Sequence, residues 1–387
     1  MSKPHAQLLT WSDAMPRLAE AWRALWREQG ARPDLGPDWA EALIVGHAVD
    51  RQELLLATGH DQDGALAWVW PLRRQRVRRA GMSWRKLGPL LNLYGLHEGM
   101  LAVDEAVARE QAWTLLQSQR LAWDWLEIDA LVDDDAALAD WRQWATRTGV
   151  RQVIEPMHRS PWLPRSGTLA EMLPSLSNNM RRNVRVALRE LDAGLAPGGG
   201  LTWSTFETVD RMPALLEAVL SIERRSWKHA AGSAISTRDW EERFYRSLLH
   251  SLGQAGQVIG HVLCKDGVPI AHAIDLRSSG RVYGVKSSHD QAHDRLAPGR
   301  MLLAGTLRRY FDDAAVIEYD FLGDDEAYKL AWNPQVRRHQ RLRIHADSLS
   351  GKAGATLDAA IDTLKKYRAD RDVRPAQVAE PAATVGG

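Results

Sequence analysis

The sequence predicts an α/β (α+β) chain made of two tandem copies of one unit, each a mixed, mainly antiparallel sheet flanked by helices. The first observation is an internal repeat. Residues 125–141 (WLEIDALVDDDAALADW) align without a gap to residues 316–332 (VIEYDFLGDDEAYKLAW), at a constant offset of 191. Glu127/Glu318, Asp129/Asp320, Leu131/Leu322, Asp133/Asp324, Asp134/Asp325, Ala136/Ala327 and Trp141/Trp332 are identical. The second is an Asp-Gly turn between apolar runs, at Asp63-Gly64 and again at Asp266-Gly267, a strong hairpin signal. The third is the order of helical and strand periodicities, which is similar in both halves.

The first half shows helical patterns at 13–29 and 37–48, then strands, then a helix near 105–121. The second half reads more clearly. Residues 201–207 predict a strand. Leu215, Leu216, Val219, Leu220 and Trp227 recur at helical spacing over 213–228. A second helix follows at 237–254, capped by Ser236 or Thr237. Strands are expected at 257–265, 268–277 and 281–288, a helix at 299–312 and a strand at 315–322. A short helix at 325–332 stops at Asn333-Pro334, and a last strand spans 341–347. The expected domains are 1–160, without a catalytic site, a helical connection at 161–200, a catalytic unit at 201–350, a helix at 351–370 and a disordered tail at 371–387.

Composition narrows the function. The 387 residues are 45% hydrophobic and 26% charged, which excludes a largely disordered chain. Lys plus Arg number 50 against 49 acids, so a globally basic nucleic-acid binder is not expected. A single cysteine, Cys264, excludes an intrachain disulfide framework and fits a reducing compartment. No run of 18 apolar residues exists and the N-terminus lacks a signal-peptide core, so the expected location is cytoplasmic, with a peripheral place on the inner membrane as the further option. Seventeen Trp against 4 Phe suggest Trp-rich cores, with apolar clefts and membrane interfaces as the other uses of that side chain.

The repeat also points to where the chemistry sits. Tyr328 and Lys329 in the second copy replace Ala137 and Leu138 in the first, so the second half carries the titratable groups. Residues 285–303 run from a strand through Pro298-Gly299 into a helix. The free N–H groups of such a helix start favour an anion, with a pyrophosphate as the natural guest. Arg295 and Arg300 add positive charge there, and Gly299 permits close backbone approach. His289 and His293 have i,i+4 spacing but no evident third ligand, so no metal is expected.

Four segments, SWKHAAGSAIS (226–236), PIAHAIDL (269–276), KSSHDQAHDRLAPGRML (286–302) and DFLGDDEAYKLAW (320–332), resemble the GNAT (Gcn5-related N-acetyltransferase) superfamily. The similarity is greatest to the tandem-GNAT branch of CelD/BcsL-type acetyltransferases of cellulose biosynthesis, related to the FemAB peptidoglycan-bridge enzymes. It spans roughly 170–347. The resemblance implies tandem GNAT-like domains and an acyl-CoA cosubstrate, with no permanently bound cofactor. The donor would lie between strands 281–288 and 315–322, with its pyrophosphate on the turn formed by Arg295, Ala297, Pro298, Gly299, Arg300 and Met301. This turn departs from the usual Q/R-x-x-G-x-G/A pattern, and FemAB relatives use aminoacyl-tRNA instead.

N-acyl transfer needs a base for the acceptor ammonium and an acid for the leaving thiolate. Asp320 is expected as base or amine anchor, with Glu318 on the same strand face. Since both recur in the first copy, the alternative is that they hold the turn together. His289 is a second candidate base. The resemblance places Tyr328 as the acid, and Lys329 would pair with Asp320 or a phosphate. It also puts Trp227 and Lys228 on the acceptor side. His272, a core or cleft histidine rather than a catalyst, is expected on the acceptor side with them. The basic stretches 73–86 and 181–189 are solvated faces by default, and otherwise sites for the CoA 3′-phosphate, an anionic lipid surface or tRNA. The expected reaction joins an acyl group, long-chain or acetyl, to an amine of a lipid or envelope polysaccharide precursor. The alternatives are aminoacyl transfer and a non-catalytic scaffold for exopolysaccharide assembly.

Overall fold

A computed structural model describes residues 5–90, 99–118, 123–133 and 135–373. Asp134 of the repeat and the tail from 374 lie outside the described residues. The first half contains β1 (His5–Thr10), α1 (Trp11–Glu28), α2 (Pro37–His47), β2 (Leu54–His60), β3 (Leu66–Arg79), β4 (Met82–Pro89), β5 (Leu101–Ala102), α3 (Glu105–Ser118), β6 (Trp125–Val132), α4 (Ala136–Arg147) and β7 (Gln152–Pro164). After the short α5 (Leu169–Met172) and the long α6 (Asn178–Leu195), the second half repeats the plan. It contains β8 (Leu201–Phe206), α7 (Met212–Arg224), α8 (Trp227–Ala230), α9 (Asp239–Gln254), β9 (Val258–Lys265), β10 (Val268–Ser278), β11 (Arg281–His289), α10 (Pro298–Asp312), β12 (Glu318–Asp320), α11 (Ala327–Leu330), β13 (Gln335–His345) and α12 (Leu349–Val373).

Among the described residues thirteen strands join one sheet, in the order β1-β2-β3-β4-β6-β13-β7-β12-β11-β10-β9-β8, with β5 on β3. The two copies exchange their last strands. β7 pairs antiparallel with β12 of the second copy, and β13 pairs antiparallel with β6 of the first. β7 and β13 then run against each other, from Gln335↔Trp162 to Ile344↔Gln152. Within each copy one pair is parallel and short: β4 with β6 over Lys86–Leu87, and β11 with β12 over Arg281–Tyr283.

Three apolar clusters hold the layers. α1, α2, α7 and α9 share one cluster, so helices of both halves bury a common face. α6 and α10 cover the opposite face of the second half, and α3 and α4 that of the first. Trp11, Trp22, Trp70, Trp141 and Trp332 are among the largest fully buried side chains, so much of the tryptophan serves the core. Among the described residues no helix is long and apolar enough to cross a membrane.

Three elements differ from the sequence expectation. The 213–228 helix breaks, because Ser226 turns extended and its hydroxyl donates to the Glu223 carbonyl at 2.8 Å, so a new short helix starts at Trp227. The expected strand 315–322 keeps only Glu318–Asp320, since Leu322 and Gly323 enter the left-handed region at φ 54° and 60° and turn the chain away. The last strand starts earlier, at Gln335, because β7 supplies a partner from the other half.

Candidate active site

The departure of β12 from β11 makes the site. The two strands pair up to Tyr283↔Asp320 and then diverge. β11 carries a bulge there: Ile274 faces Lys286 while Asp275 faces Gly284. A Cβ at Gly284 would stand 2.6 Å from the Tyr319 hydroxyl, so this approach requires glycine. The opening is a cleft of about 1070 Å³, walled by β11 residues 284–289, the start of α10, the segment 321–332, α8 and a patch of the first half that includes Met157 and His158.

At one corner, Ala297 takes a left-handed conformation (φ 49°) and Pro298 opens α10. Ala297, Gly299 and Arg300 line the cleft. Pro298 and Met301 are buried, and neither they nor Arg295 are among the lining residues, so the expected turn supplies three lining residues rather than six. His289 sits against this corner, with its Nε2 3.0 Å from Asp294 Oδ1 and its Nδ1 3.0 Å from where a Gly299 Cβ would stand.

Tyr328 projects from α11 into the cleft and is half exposed. Desolvation of its hydroxyl, with Glu326 beside it, holds the phenol above its ordinary pKa, so it stays protonated and can donate. In the first copy, the matching Ala137 and Leu138 are core residues. Trp227 is exposed at the opposite rim. Lys228 donates to the Ser287 carbonyl at 2.6 Å, and burial together with nearby Lys286 pushes its pKa down to about 8.

Three expectations are corrected. Asp320 is completely buried and does not face the cleft, so it is not placed to deprotonate an acceptor. Arg337 Nη1 lies 2.6 Å from its Oδ2, and its other oxygen accepts from the Leu322 amide (2.8 Å) and Ser160 (3.3 Å). Burial raises the carboxyl pKa, while Arg337 opposes the shift. Glu318 also pairs with Arg337, at 3.2 Å. In the first copy Glu127 pairs with Arg343 and Asp129 with Arg341, so in both copies these acids tie the sheet together. Lys329 borders the cleft but does not pair with Asp320: its Nζ donates to the carbonyls of Leu322 (2.7 Å) and Asp324 (2.9 Å) and pairs with Glu326. It holds the 322–326 turn.

The structure adds Asp275 and the acids behind His272, which sequence reasoning missed. On the α10 face, Asp275 lies at the base of the fork, accepting from Tyr310 (2.9 Å) and Tyr319 (3.3 Å). Burial pushes its pKa up to about 7 despite both bonds. An acid whose folded pKa is raised stabilises the fold most below its unfolded value near 4, and that contribution is lost as pH rises through about 7. The denaturation midpoint of the wild type relative to Asp275→Asn should therefore fall from pH 4 to pH 7 and level off above; a pH-independent difference would refute this assignment.

On the α7–α9 face, His272 lines the cleft with Lys286, backed by Glu223 and Glu241. Lys286 Nζ is 2.7 Å from Glu241, and His272 Nε2 is 3.6 Å from Glu223, too long for a hydrogen bond. Burial lowers the His272 pKa, partly offset by Glu223. Burial pushes Glu223 up, but His272, Lys286 and the Ile235 amide together hold it below its usual range. Both groups had a legible signal. Asp275 is the lone acid in an apolar strand, and Glu223 continues the apolar stripe Leu216–Val219–Leu220. Among the described residues no three His, Cys, Asp or Glu side chains gather as a metal set.

Comparison with known proteins agrees with this geometry. Residues 178–330 match the family model described as Acetyltransferase (GNAT) domain. The fold is shared with FemX (TM-score 0.56, 12% identity, covering 83% of this chain and 95% of that one). It is also shared with a C-terminal domain assigned to a lysylphosphatidylglycerol synthetase from Agrobacterium fabrum (TM-score 0.53, 11% identity, 89% and 96%). A conserved protein of unknown function from Bacteroides thetaiotaomicron is a third (TM-score 0.52, 10% identity, 85% and 97%). No curated protein sequence matches the chain. The match of residues 178–330 to a GNAT domain supports an acyltransferase.

Proposed function

We propose that this acyltransferase takes its acyl group from a CoA thioester and transfers it directly to an amine. The observation that carries the reading is the fork itself. Beyond Tyr283 one edge of β11 has no β12 partner, and residues 284–289 line the cleft beside the start of α10, where unpaired backbone N–H groups would be available to a ligand. A thioester carbonyl seated there would be polarised by such an N–H, and the phosphates would meet Ala297, Gly299 and Arg300.

The acceptor ammonium first gives one proton to a base. Its nitrogen then attacks the thioester carbon, forming the C–N bond as the C–S bond breaks. Tyr328 protonates the departing thiolate and is reprotonated by the second proton from the nitrogen. One proton is released overall. His289 and His272 both line the cleft as candidate bases. Leu302, Leu303, Phe321 and Met180 give the cavity an apolar side, which favours a long-chain donor over acetyl-CoA. A lipid-like amine is the acceptor that fits this reading, ahead of the polysaccharide precursor implied by a CelD/BcsL-type relationship.

Thermal denaturation with acetyl-CoA, palmitoyl-CoA and aminoacyl-tRNA tests the donor. Palmitoyl-CoA at a hundredfold excess over its Kd should stabilise the fold by about 2.7 kcal/mol. Stabilisation by aminoacyl-tRNA alone would instead establish FemAB-like transfer. Tyr328→Phe should lower kcat about 100-fold with CoA affinity unchanged; an unaltered kcat in steady-state assays would remove Tyr328 as the acid.

A further inference from the structure

The basic hairpin 73–86 is left unused by the cleft. β3 pairs with β2 only from Leu66 to Arg73, and β4 pairs with β6 only at Lys86 and Leu87. Residues 74–79 and 82–85 therefore form a two-stranded arm beyond the main sheet. One face of the arm is covered by α12. A Cβ at Gly354 would stand 3.3 Å from Trp84, and Arg79 pairs with Asp358. The other face carries Arg74, Arg76 and Arg78, alternate residues of β3 and all exposed. Among the described residues none of the three has an ion-pair partner, whereas Arg79 and Arg85 on the same arm pair with Asp358 and Asp124, and Arg73 at its base pairs with Glu53. A row of unpaired like charges on one strand face is repulsive in the free protein. An anionic surface laid against it would relieve that repulsion.

We infer that this arm docks the protein on an anionic lipid surface. The row presents its three cations on one side of the arm, and each cation near an array of negative headgroups strengthens attraction within a Debye length. The chain's net charge of +1 provides no general attraction to polyanions, so the effect is local to the arm. The inference does not depend on the identity of the acyl donor.

Co-sedimentation tests it with two vesicle types, phosphatidylcholine alone and an equal mixture with phosphatidylglycerol. The full chain should pellet with the mixed vesicles only, and less so as salt rises. The triple variant Arg74→Gln, Arg76→Gln, Arg78→Gln should lower the partition coefficient about 100-fold with an unchanged melting temperature. A control triple variant on α6, Arg182→Gln, Arg185→Gln, Arg189→Gln, should retain binding. No binding to the mixed vesicles, binding that survives loss of the arm arginines, an equal loss in the α6 control, or preferential binding to tRNA at the same salt would each overturn the inference.

Discussion

Arg337→Met should destabilise the fold by about 3–5 kcal/mol, measured by urea denaturation at neutral pH. The reason is the burial of what Arg337 neutralises. Its guanidinium reaches Asp320 at 2.6 Å and Glu318 at 3.2 Å, and Asp320 is completely buried. Removing one partner of a buried ion pair leaves an uncompensated charge in low dielectric, which costs about that much. The guanidinium also lies over the Trp162 ring at 4.2 Å, so part of the loss is packing. Two readouts separate charge from packing. The destabilisation should shrink as pH falls towards 4, where carboxylates protonate in both proteins. It should also be smaller when Asp320→Asn is added, since that variant removes the stranded charge. A pH-independent loss with strict additivity would assign the effect to packing alone. If Asp320→Asn abolished turnover while sparing stability, Asp320 would be a base after all.

Gly299→Val should weaken CoA binding between about tenfold and hundredfold while the protein stays folded. Gly299 lies in the first turn of α10 and borders the cleft. Its backbone is outside the positive-φ region, so a side chain adds no backbone strain. The three atoms nearest the added Cβ all belong to the His289 ring, the first at 3.0 Å, and this side chain can yield by a few tenths of an ångström. The branched side chain then occupies the space that the donor phosphates need, and a penalty of about 1.4–2.8 kcal/mol, inside the 1–3 kcal/mol span of overpacking, converts to the stated range. Calorimetric titration reads the affinity, and circular dichroism confirms the fold. Normal CoA affinity in a folded variant would remove this corner as the phosphate site.

The local elements were readable because their signals are local. The Asp-Gly turns marked the β2–β3 and β9–β10 hairpins, and Pro298 marked the start of α10. The repeat correctly matched β6 to β12, and the replacement of Ala137 and Leu138 by Tyr328 and Lys329 pointed to the half that holds the cleft. The exchange of β7 and β13 was not readable. Either strand would satisfy the same antiparallel edge in its own copy, and the choice depends on packing between residues some two hundred positions apart. For the same reason the partner of Asp320 was misjudged. Lys329 and Asp320 are close in sequence, but Arg337 reaches the acid across β7, where it faces Ser160. Asp275 stood out as an acid within an apolar strand, yet its tyrosine partners come from α10 and β12, which only the folded sheet brings to it.

The fork between β11 and β12 as the donor site is tested most directly by hydrogen–deuterium exchange with and without coenzyme A. The account predicts slowed exchange in residues 284–289, 297–303 and 321–329, with β2, β3 and β4 unchanged. Exchange unaltered in these three segments at saturating coenzyme A, or protection confined to the first half, would contradict it.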